Sequence, residues 1–250
     1  MNFSIITLSL NSISTIKKTV ESVLNQLDKN DEYLVFDGGS TDGTIEYLEN
    51  IKNENLRIFK NVKKGIYGSL NFAIRNTKND LIGIIHSDDY YSKNILPLVK
   101  QTFINKKNIH IVHGKLAKIY KDQIKIFSVF NNLDMKKTIE KLNHVHPTVF
   151  LKKEIYNEVQ FCEKYKLASD MDFFLKISKM NFNSYFLNQI ISHQLYGGAS
   201  DLNRTAIALE NLKIYFDNKL YIKGIINFIY LILKNLKVSF RYLLHKRNFF

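Results

Sequence analysis

The feature that most constrains this 250-residue chain is a rhythm in its N-terminal part. Short apolar runs alternate with longer segments in which apolar residues recur every three or four positions. Phe3–Leu8, Glu32–Phe36, Leu56–Phe59 and Leu81–Ile85 read as strands. Between them, Ser12–Leu27 (apolar at Ile13, Ile16, Val20, Val23, Leu24 and Leu27), Thr44–Ile51 and Tyr67–Asn76 read as helices. Such alternation implies the α/β class, with a mostly parallel central sheet and right-handed crossovers. Ligands of such sheets bind at the carboxyl ends of the strands. Polar clusters at Asn11, Asp37–Asp42 and Ser87–Asp89 fall at three of those ends, so a site is expected there.

The remainder is less regular. Residues 109–120 and 123–130 read as two strands about a turn at Lys121-Asp122, and 131–143 is polar and helix-prone. Residues 144–151 return to a strand, and a short helix follows near Glu154. Ser169–Met180 reads as a helix, Phe182–Leu187 and Ile190–Leu195 as strands ending at Gly197-Gly198, and the chain from Leu202 to about His245 as helical. The single cysteine, Cys162, excludes an intramolecular disulfide framework and fits a reducing compartment. The N-terminus has no basic leader region, and its apolar run is expected to be a first strand, not a signal peptide. The most apolar run, Gly224–Leu233, is about half of what a bilayer crossing needs.

Charge narrows the partners. Against 36 Lys and Arg stand 23 Asp and Glu, a net +13, which points to nucleic acid, a membrane surface or phosphorylated substrates. From Lys213 to Phe250 there are eight basic residues and one acidic residue, Asp217, so this stretch supplies +7 of the +13. Lys223, Asn227, Tyr230, Lys234, Lys237, Arg241 and His245 form a polar stripe, and isoleucine, leucine and phenylalanine cover the other faces. A wide apolar face with a basic stripe suits an interfacial helix on anionic lipid. The alternative is a terminal helix packed on the domain or on a twin subunit. No nucleic-acid motif accompanies the charge, and nucleic acid drops out as a partner.

Two motifs carry chemistry. Adjacent carboxylates at Asp88 and Asp89 follow a buried strand, where like charges oppose ionisation unless a cation compensates them. Hard oxygens suit Mg²⁺ or Mn²⁺ bridging to phosphate; alternatively these residues cap the helix beginning near Asn94. The turn Asp37-Gly-Gly-Ser-Thr-Asp-Gly either cradles phosphate on its backbone N–H groups or simply links a strand to a helix. Asp37, at a strand end, is placed to accept a hydrogen bond from a base or ribose. His144-x-His146 puts two rings on one strand face, read as structural or acceptor-lining.

Taken together, Ser4-Ile-Ile-Thr…Asn11, Ser22-Val-Leu-Asn-Gln26, Val35-Phe-Asp-Gly-Gly-Ser-Thr-Asp-Gly-Thr44, Lys64-Gly-Ile-Tyr67…Asn71, His86-Ser-Asp-Asp-Tyr90 and Ala168-Ser-Asp-Met-Asp-Phe-Phe-Leu-Lys176 resemble a family 2 inverting glycosyltransferase of the GT-A fold, of the bacterial surface-polysaccharide type. The resemblance implies a Rossmann-like sheet flanked by helices over residues 1–210, with a nucleotide-binding half at 1–106 and an acceptor and base half at 107–210. A basic amphipathic helical extension follows at 211–250. It implies that Thr7, Ser9, Asn11 and Asp37 line the nucleotide pocket, Asp37 facing the base. Lys64, Gly65 and Asn71 border the nucleotide sugar. Ser87 and Asp88 lie by the ribose or sugar, and Asp89 binds Mn²⁺ or Mg²⁺. His193, or the Gly197-Gly198 turn, approaches the donor phosphates from the far side, His193 being the candidate second metal ligand. Asp170 matches the general base, with Asp172 as its replacement should the alignment slip by two.

The implied reaction is a metal-dependent inverting transfer from a nucleotide-diphosphate sugar, UDP-linked by expectation, to a growing glycan or lipid-linked acceptor at the cytoplasmic face of the membrane. A carboxylate takes the acceptor proton while a metal neutralises the departing diphosphate. Nucleotidyl transfer to a sugar phosphate is the competing enzyme reading. It wants a basic glycine-rich loop near the N-terminus, where the chain has Leu8-Ser-Leu-Asn11.

Overall fold

The computed structural model describes residues 1–120, 123–127, 146–198 and 202–247. The N-terminal rhythm folds as read: β1 (Phe3–Ser9), α1 (Ile13–Leu24), β2 (Glu32–Asp37), α2 (Thr44–Glu49), β3 (Leu56–Phe59), α3 (Gly65–Arg75) and β4 (Leu81–Ile84). Then come β5 (Asp89–Tyr91), α4 (Ile95–Asn105), β6 (Ile111–Tyr120) and β7 (Gln123–Phe127). A 3₁₀ turn at His146–Thr148 leads into β8 (Val149–Lys152), α5 (Lys153–Glu158), α6 (Ser169–Ser178) and β9 (Ser184–Leu195). Two helices, α7 (Arg204–Asp217) and α8 (Tyr221–Arg247), end the described chain. The expected helix at 131–143, His144 and the end of the strand at 123–130 lie outside the described residues.

One sheet runs in the order β3-β2-β1-β4-β8-β6-β9-β5, with β7 paired to β6. The four N-terminal strands are parallel neighbours. Beyond β4 the sheet is mixed: β8 is antiparallel to β4 and β6, β9 is parallel to β6, and β5 is antiparallel to β9. The parallel character is therefore concentrated in the half built from strand–helix–strand units, where crossovers demand it. The two strands expected at 182–187 and 190–195 are one strand, β9. A register shift opposite Gly114 and Lys115 absorbs Asn188 and Gln189, which break the apolar pattern.

Both faces of the sheet are covered, which explains why its parallel strands are apolar at nearly every position. Along β1, Phe3 and Ile5 enter one core while Ile6 and Leu8 pack against the other, the two-residue period of a strand. Helices α1 and α4 close the first face through Ile16, Val20, Val23, Leu96, Val99 and Phe103. Helices α3, α5 and α6 close the second through Leu70, Ile155, Phe173 and Phe174.

The C-terminal helical stretch is broken where the sequence shows no break. Lys219 takes φ +60°, the Leu220 N–H reaches the Tyr215 carbonyl at 2.8 Å and the Lys219 N–H reaches the Phe216 carbonyl at 3.0 Å. These two bonds are a Schellman termination, usually made by glycine. With lysine in that position, nothing in the sequence announces the turn. Helix α7 also runs unbroken across residue 210, where the sequence reading sets a boundary.

Candidate active site

A cleft of about 950 Å³ opens at the carboxyl ends of β1, β2 and β4. Its walls include Ser9 at the end of β1 with Asn11 and Ser12 beyond it, Gly38 after β2, Lys63, Gly65 and Tyr67 around the start of α3, His86, Ser87 and Asp88 after β4, and Asp170 on α6. His146, Gln194 and Gly198 complete it from the mixed half of the sheet. Chain segments far apart in sequence thus converge on the place that parallel-sheet topology assigns to a ligand.

The loops around it are cross-braced. Ser12 Oγ lies 2.8 Å from Ser87 Oγ, and the Ser12 N–H donates to Thr44 Oγ1 at 2.9 Å. Asn11, at φ +49°, accepts from the Thr41 N–H at 2.9 Å and donates its own N–H to Ser40 Oγ at 2.8 Å. Asp37 is fully buried, and its oxygens accept from Ser9 Oγ, Ser40 Oγ and the N–H groups of Gly39 and Ser40 at 2.6–2.8 Å. Four bonds fill the acceptor capacity of a carboxylate. Asp37 therefore shapes the glycine-rich turn from behind, its acceptor sites taken up within the chain.

Several other expected ligands are also structural. Thr7 is buried on β1, where its hydroxyl accepts from Tyr33 OH at 2.9 Å. Asn71 is buried on α3 and clamps Phe161 through both its backbone groups, at 2.9 and 3.0 Å. Lys64 precedes α3 with its ammonium 5.5 Å from the Phe72 ring, and Lys63 is the lysine on the cleft wall.

The paired carboxylates after β4 separate. Asp88 lies on the cleft wall, whereas Asp89 enters β5 opposite Gln194 and is 1% exposed beneath that wall. Its N–H donates to the His86 carbonyl at 3.1 Å, and its own carbonyl accepts from Thr19 Oγ1 at 2.6 Å. Neither carboxylate caps α4, whose N-cap is Asn94 without a side-chain bond. His193 pairs with Tyr90, the residue after Asp89, so it projects from the opposite face of the β5–β9 ladder. Its ring stacks on Tyr90 at 4.7 Å, and its Nε2 lies 3.0 Å from Ser92 Oγ. Asp89 and His193 therefore project to opposite faces of this ladder.

Among the described residues no three His, Cys, Asp or Glu side chains gather as a metal cage. Mg²⁺ and Mn²⁺ at nucleotide sites need less, one or two carboxylates completed by phosphate and water. Asp88 fits that sparse role. Gly198 leaves room beside it, since a Cβ there would stand 2.5 Å from Asp88 Oδ2.

The choice between Asp170 and Asp172 is made by helix geometry. Residues two apart on a helix point in nearly opposite directions. Asp170 faces the cleft and accepts from the Met171 N–H at 2.9 Å and from Tyr67 OH at 3.3 Å. Burial raises its pKa, and the Met171 bond, the charge of nearby His86 and the Tyr67 bond pull the other way. Asp172 is 2% exposed on the far side, 2.7 Å from Lys176 Nζ and 3.2 Å from Asn218 Nδ2. It ties α6 to the end of α7.

Tyr67 and His86 were given no role of their own from sequence, and the reading of His146 was left open between structural and acceptor-lining. A tyrosine on an apolar helix face and a histidine beside a strand read as core, and only the fold turns them toward one cavity.

The chain matches the model of glycosyl transferase family 2 over residues 4–168, about two thirds of its length. It is 26% identical over 241 residues to hyaluronan synthase of Pasteurella multocida, an alignment covering 94% of this chain and 25% of that protein. It is also 39% identical over 89 residues to the UDP-Glc:alpha-D-GlcNAc-diphosphoundecaprenol beta-1,3-glucosyltransferase WfaP of Escherichia coli, covering 35% of this chain and 36% of WfaP. The chain thus spans about a quarter to a third of these relatives. Its fold is that of S. aureus TarS residues 1–349, solved with UDP-GlcNAc, at TM-score 0.72, 19% identity, 91% of this chain and 72% of that one. The GT-A architecture, the cleft at its strand ends and the family match over residues 4–168 place the chain in glycosyl transferase family 2.

Proposed function

We propose that the chain catalyses inverting transfer of a sugar from a nucleotide-diphosphate donor, UDP-linked, to a hydroxyl of a growing glycan or lipid-linked acceptor. The observation that carries this reading is the meeting of Asp88 and Asp170 in one cleft at the strand ends, brought there by separate elements. Single inversion needs a base for the attacking hydroxyl and relief of the charge growing on the leaving diphosphate, but no enzyme nucleophile. Asp170 is the base. Its raised pKa strengthens it, and Tyr67 fixes the carboxylate by a bond to Oδ1. It takes the proton from the acceptor oxygen as that oxygen bonds to the anomeric carbon and the diphosphate leaves with the bonding pair.

Asp88 is the residue that would hold Mn²⁺ or Mg²⁺, which when bound neutralises the diphosphate as a Lewis acid. Ser9, Asn11, Ser87 and Lys63 border the donor. The UDP-GlcNAc complex of TarS and the UDP-glucose and lipid-diphosphate substrates in the name of WfaP support the donor and acceptor classes.

The same reading puts the enzyme at the cytoplasmic face of the membrane, held there by α8. Among the described residues no helix is long and apolar enough to cross a membrane. Ile222, Ile226, Ile229 and Leu233 nevertheless form a stripe on α8 whose members are each more than half exposed.

The test is Asp88→Ala assayed by calorimetry against a panel of UDP-sugars with and without Mn²⁺. Metal-dependent donor affinity and turnover are expected to be lost while UDP-independent stability stays the same. Full activity in that variant would overturn the metal assignment.

A further inference from the structure

His146 is 3% exposed and lies in the cleft wall, at the start of the 3₁₀ turn that feeds β8. Aromatic rings box it: Phe161 at 5.3 Å between centroids, and Phe174 at 5.6 Å, edge-on. Phe174 is four residues beyond Asp170, so it shares that carboxylate's face of α6 and places the imidazole beside the catalytic turn. His86, on the same cleft wall, interacts electrostatically with both His146 and Asp170. Yet Nε2 of His146 has no hydrogen-bond partner among the described residues.

A phenylalanine or leucine would fill such a box without leaving a polar atom unmatched. An unpartnered buried nitrogen is destabilising, and nearly all buried polar groups find a partner. The nitrogen is therefore accounted for when a ligand brings the missing partner. We propose that His146 is a carbohydrate-recognition residue of this cleft, its Nε2 making a hydrogen bond to a hydroxyl of the bound sugar.

This rests on the glycosyl-transfer reading and extends it to substrate selection. Burial, reinforced by His86, pushes the imidazole down to about 3, so the ring is neutral and offers one donor and one acceptor nitrogen. A neutral group of that kind matches a hydroxyl, which also donates and accepts. Sites that hydrogen-bond a substrate hydroxyl discriminate far more sharply than apolar ones, because a wrong substrate leaves the buried group unpaired again.

The experiment compares wild type, His146→Phe, His146→Leu and His146→Gln. Gln places an amide near the position of Nε2, and Leu serves if Phe does not fold. Each is melted without ligand, titrated with UDP, UDP-glucose and UDP-GlcNAc in Mn²⁺, and assayed with p-nitrophenyl β-glycosides as acceptors.

The expected result is an apolar variant that melts at or above the wild-type temperature but loses about 10-fold or more in sugar recognition. Gln should recover most of that loss, and UDP affinity should stay the same throughout. A loss confined to UDP-sugar binding assigns the hydroxyl to the transferred sugar; a loss confined to acceptor KM assigns it to the acceptor. An apolar variant with a lower melting temperature and unchanged sugar parameters would make His146 a packing residue and overturn the proposal. A wild type that binds none of the nucleotides rejects the glycosyl-transfer reading itself, and with it this extension.

Discussion

Asp170 shows how much a single position can carry. Burial in the cleft wall raises its pKa, while its bonds from Met171 and Tyr67 and the nearby charge of His86 hold the rise in check. In the proposed role of base Asp170 must be ionised, so transfer is expected to fall as pH drops through a value above the ordinary carboxylate range of about 3.9. Tyr67→Phe removes one of the lowering contributions, and the acid limb of the kcat/KM profile should move to higher pH. An unmoved limb would take Tyr67 out of the site.

The stability consequence has the opposite sense from an ordinary salt-bridged aspartate. With its folded pKa raised, Asp170 binds its proton more tightly in the folded chain than in the unfolded one. Its contribution therefore improves as pH falls through the folded pKa and is unfavourable above it. Asp170→Asn should lose transfer while melting no lower than wild type at neutral pH, measured by calorimetry. Asp172→Asn should do the reverse, keeping transfer and weakening the contact with Lys176 and Asn218. The family resemblance singled out the pair Asp170-x-Asp172. Which member faces the cleft was not legible in the sequence, because a two-residue slip on a helix reverses the direction of a side chain.

At the scale of elements, strands and helices up to β4 were readable because each side-chain period is local. The joint between α7 and α8 was not, because its termination uses Lys219 where glycine is the usual signal. Two substitutions there should run against ordinary helix propensity. Lys219→Gly removes a left-handed lysine and is expected to stabilise by roughly 0.5–1 kcal/mol, although glycine usually weakens a helical stretch. Gly224→Ala, which normally strengthens a helix, is expected to destabilise by about 1 kcal/mol or more. A Cβ at 224 would stand 2.7 Å from Tyr215 Cβ, where α8 crosses α7. Thermal melts of the two variants check both signs; shifts in the propensity direction would mean that α8 is not seated on α7 through Gly224. The strand β5 was likewise invisible. Three residues are too few for periodicity to show, and it exists only because β9 pairs with it.

For the whole molecule, the net charge of +13 divides unevenly, and +7 of it falls between Lys213 and Phe250. Among the described residues the cleft instead gathers Asp88 and Asp170 with one wall lysine, Lys63. If α8 holds the protein on anionic lipid, co-sedimentation with phosphatidylglycerol vesicles should fall as salt rises, since exposed charges are screened beyond about 10 Å at 0.1 M. Deletion of residues 219–250 should abolish it. Vesicle binding that survives the deletion would remove α8 from that role and leave its exposed isoleucines to a protein partner.

What the sequence determined by itself was local or patterned. It set the α/β class, the strand ends as the place of the site, the identity of the loops that meet there and the concentration of charge at the C-terminus. These follow from side-chain period, turn chemistry and counting, which need no knowledge of distant neighbours. Tertiary structure alone decided that Asp88 reaches the cleft and Asp89 does not, that Asp37, Thr7 and Asn71 hold the scaffold, and that His146 lies beside Asp170. Each of those outcomes depends on strand pairing, or on which groups the packing of distant elements brings together.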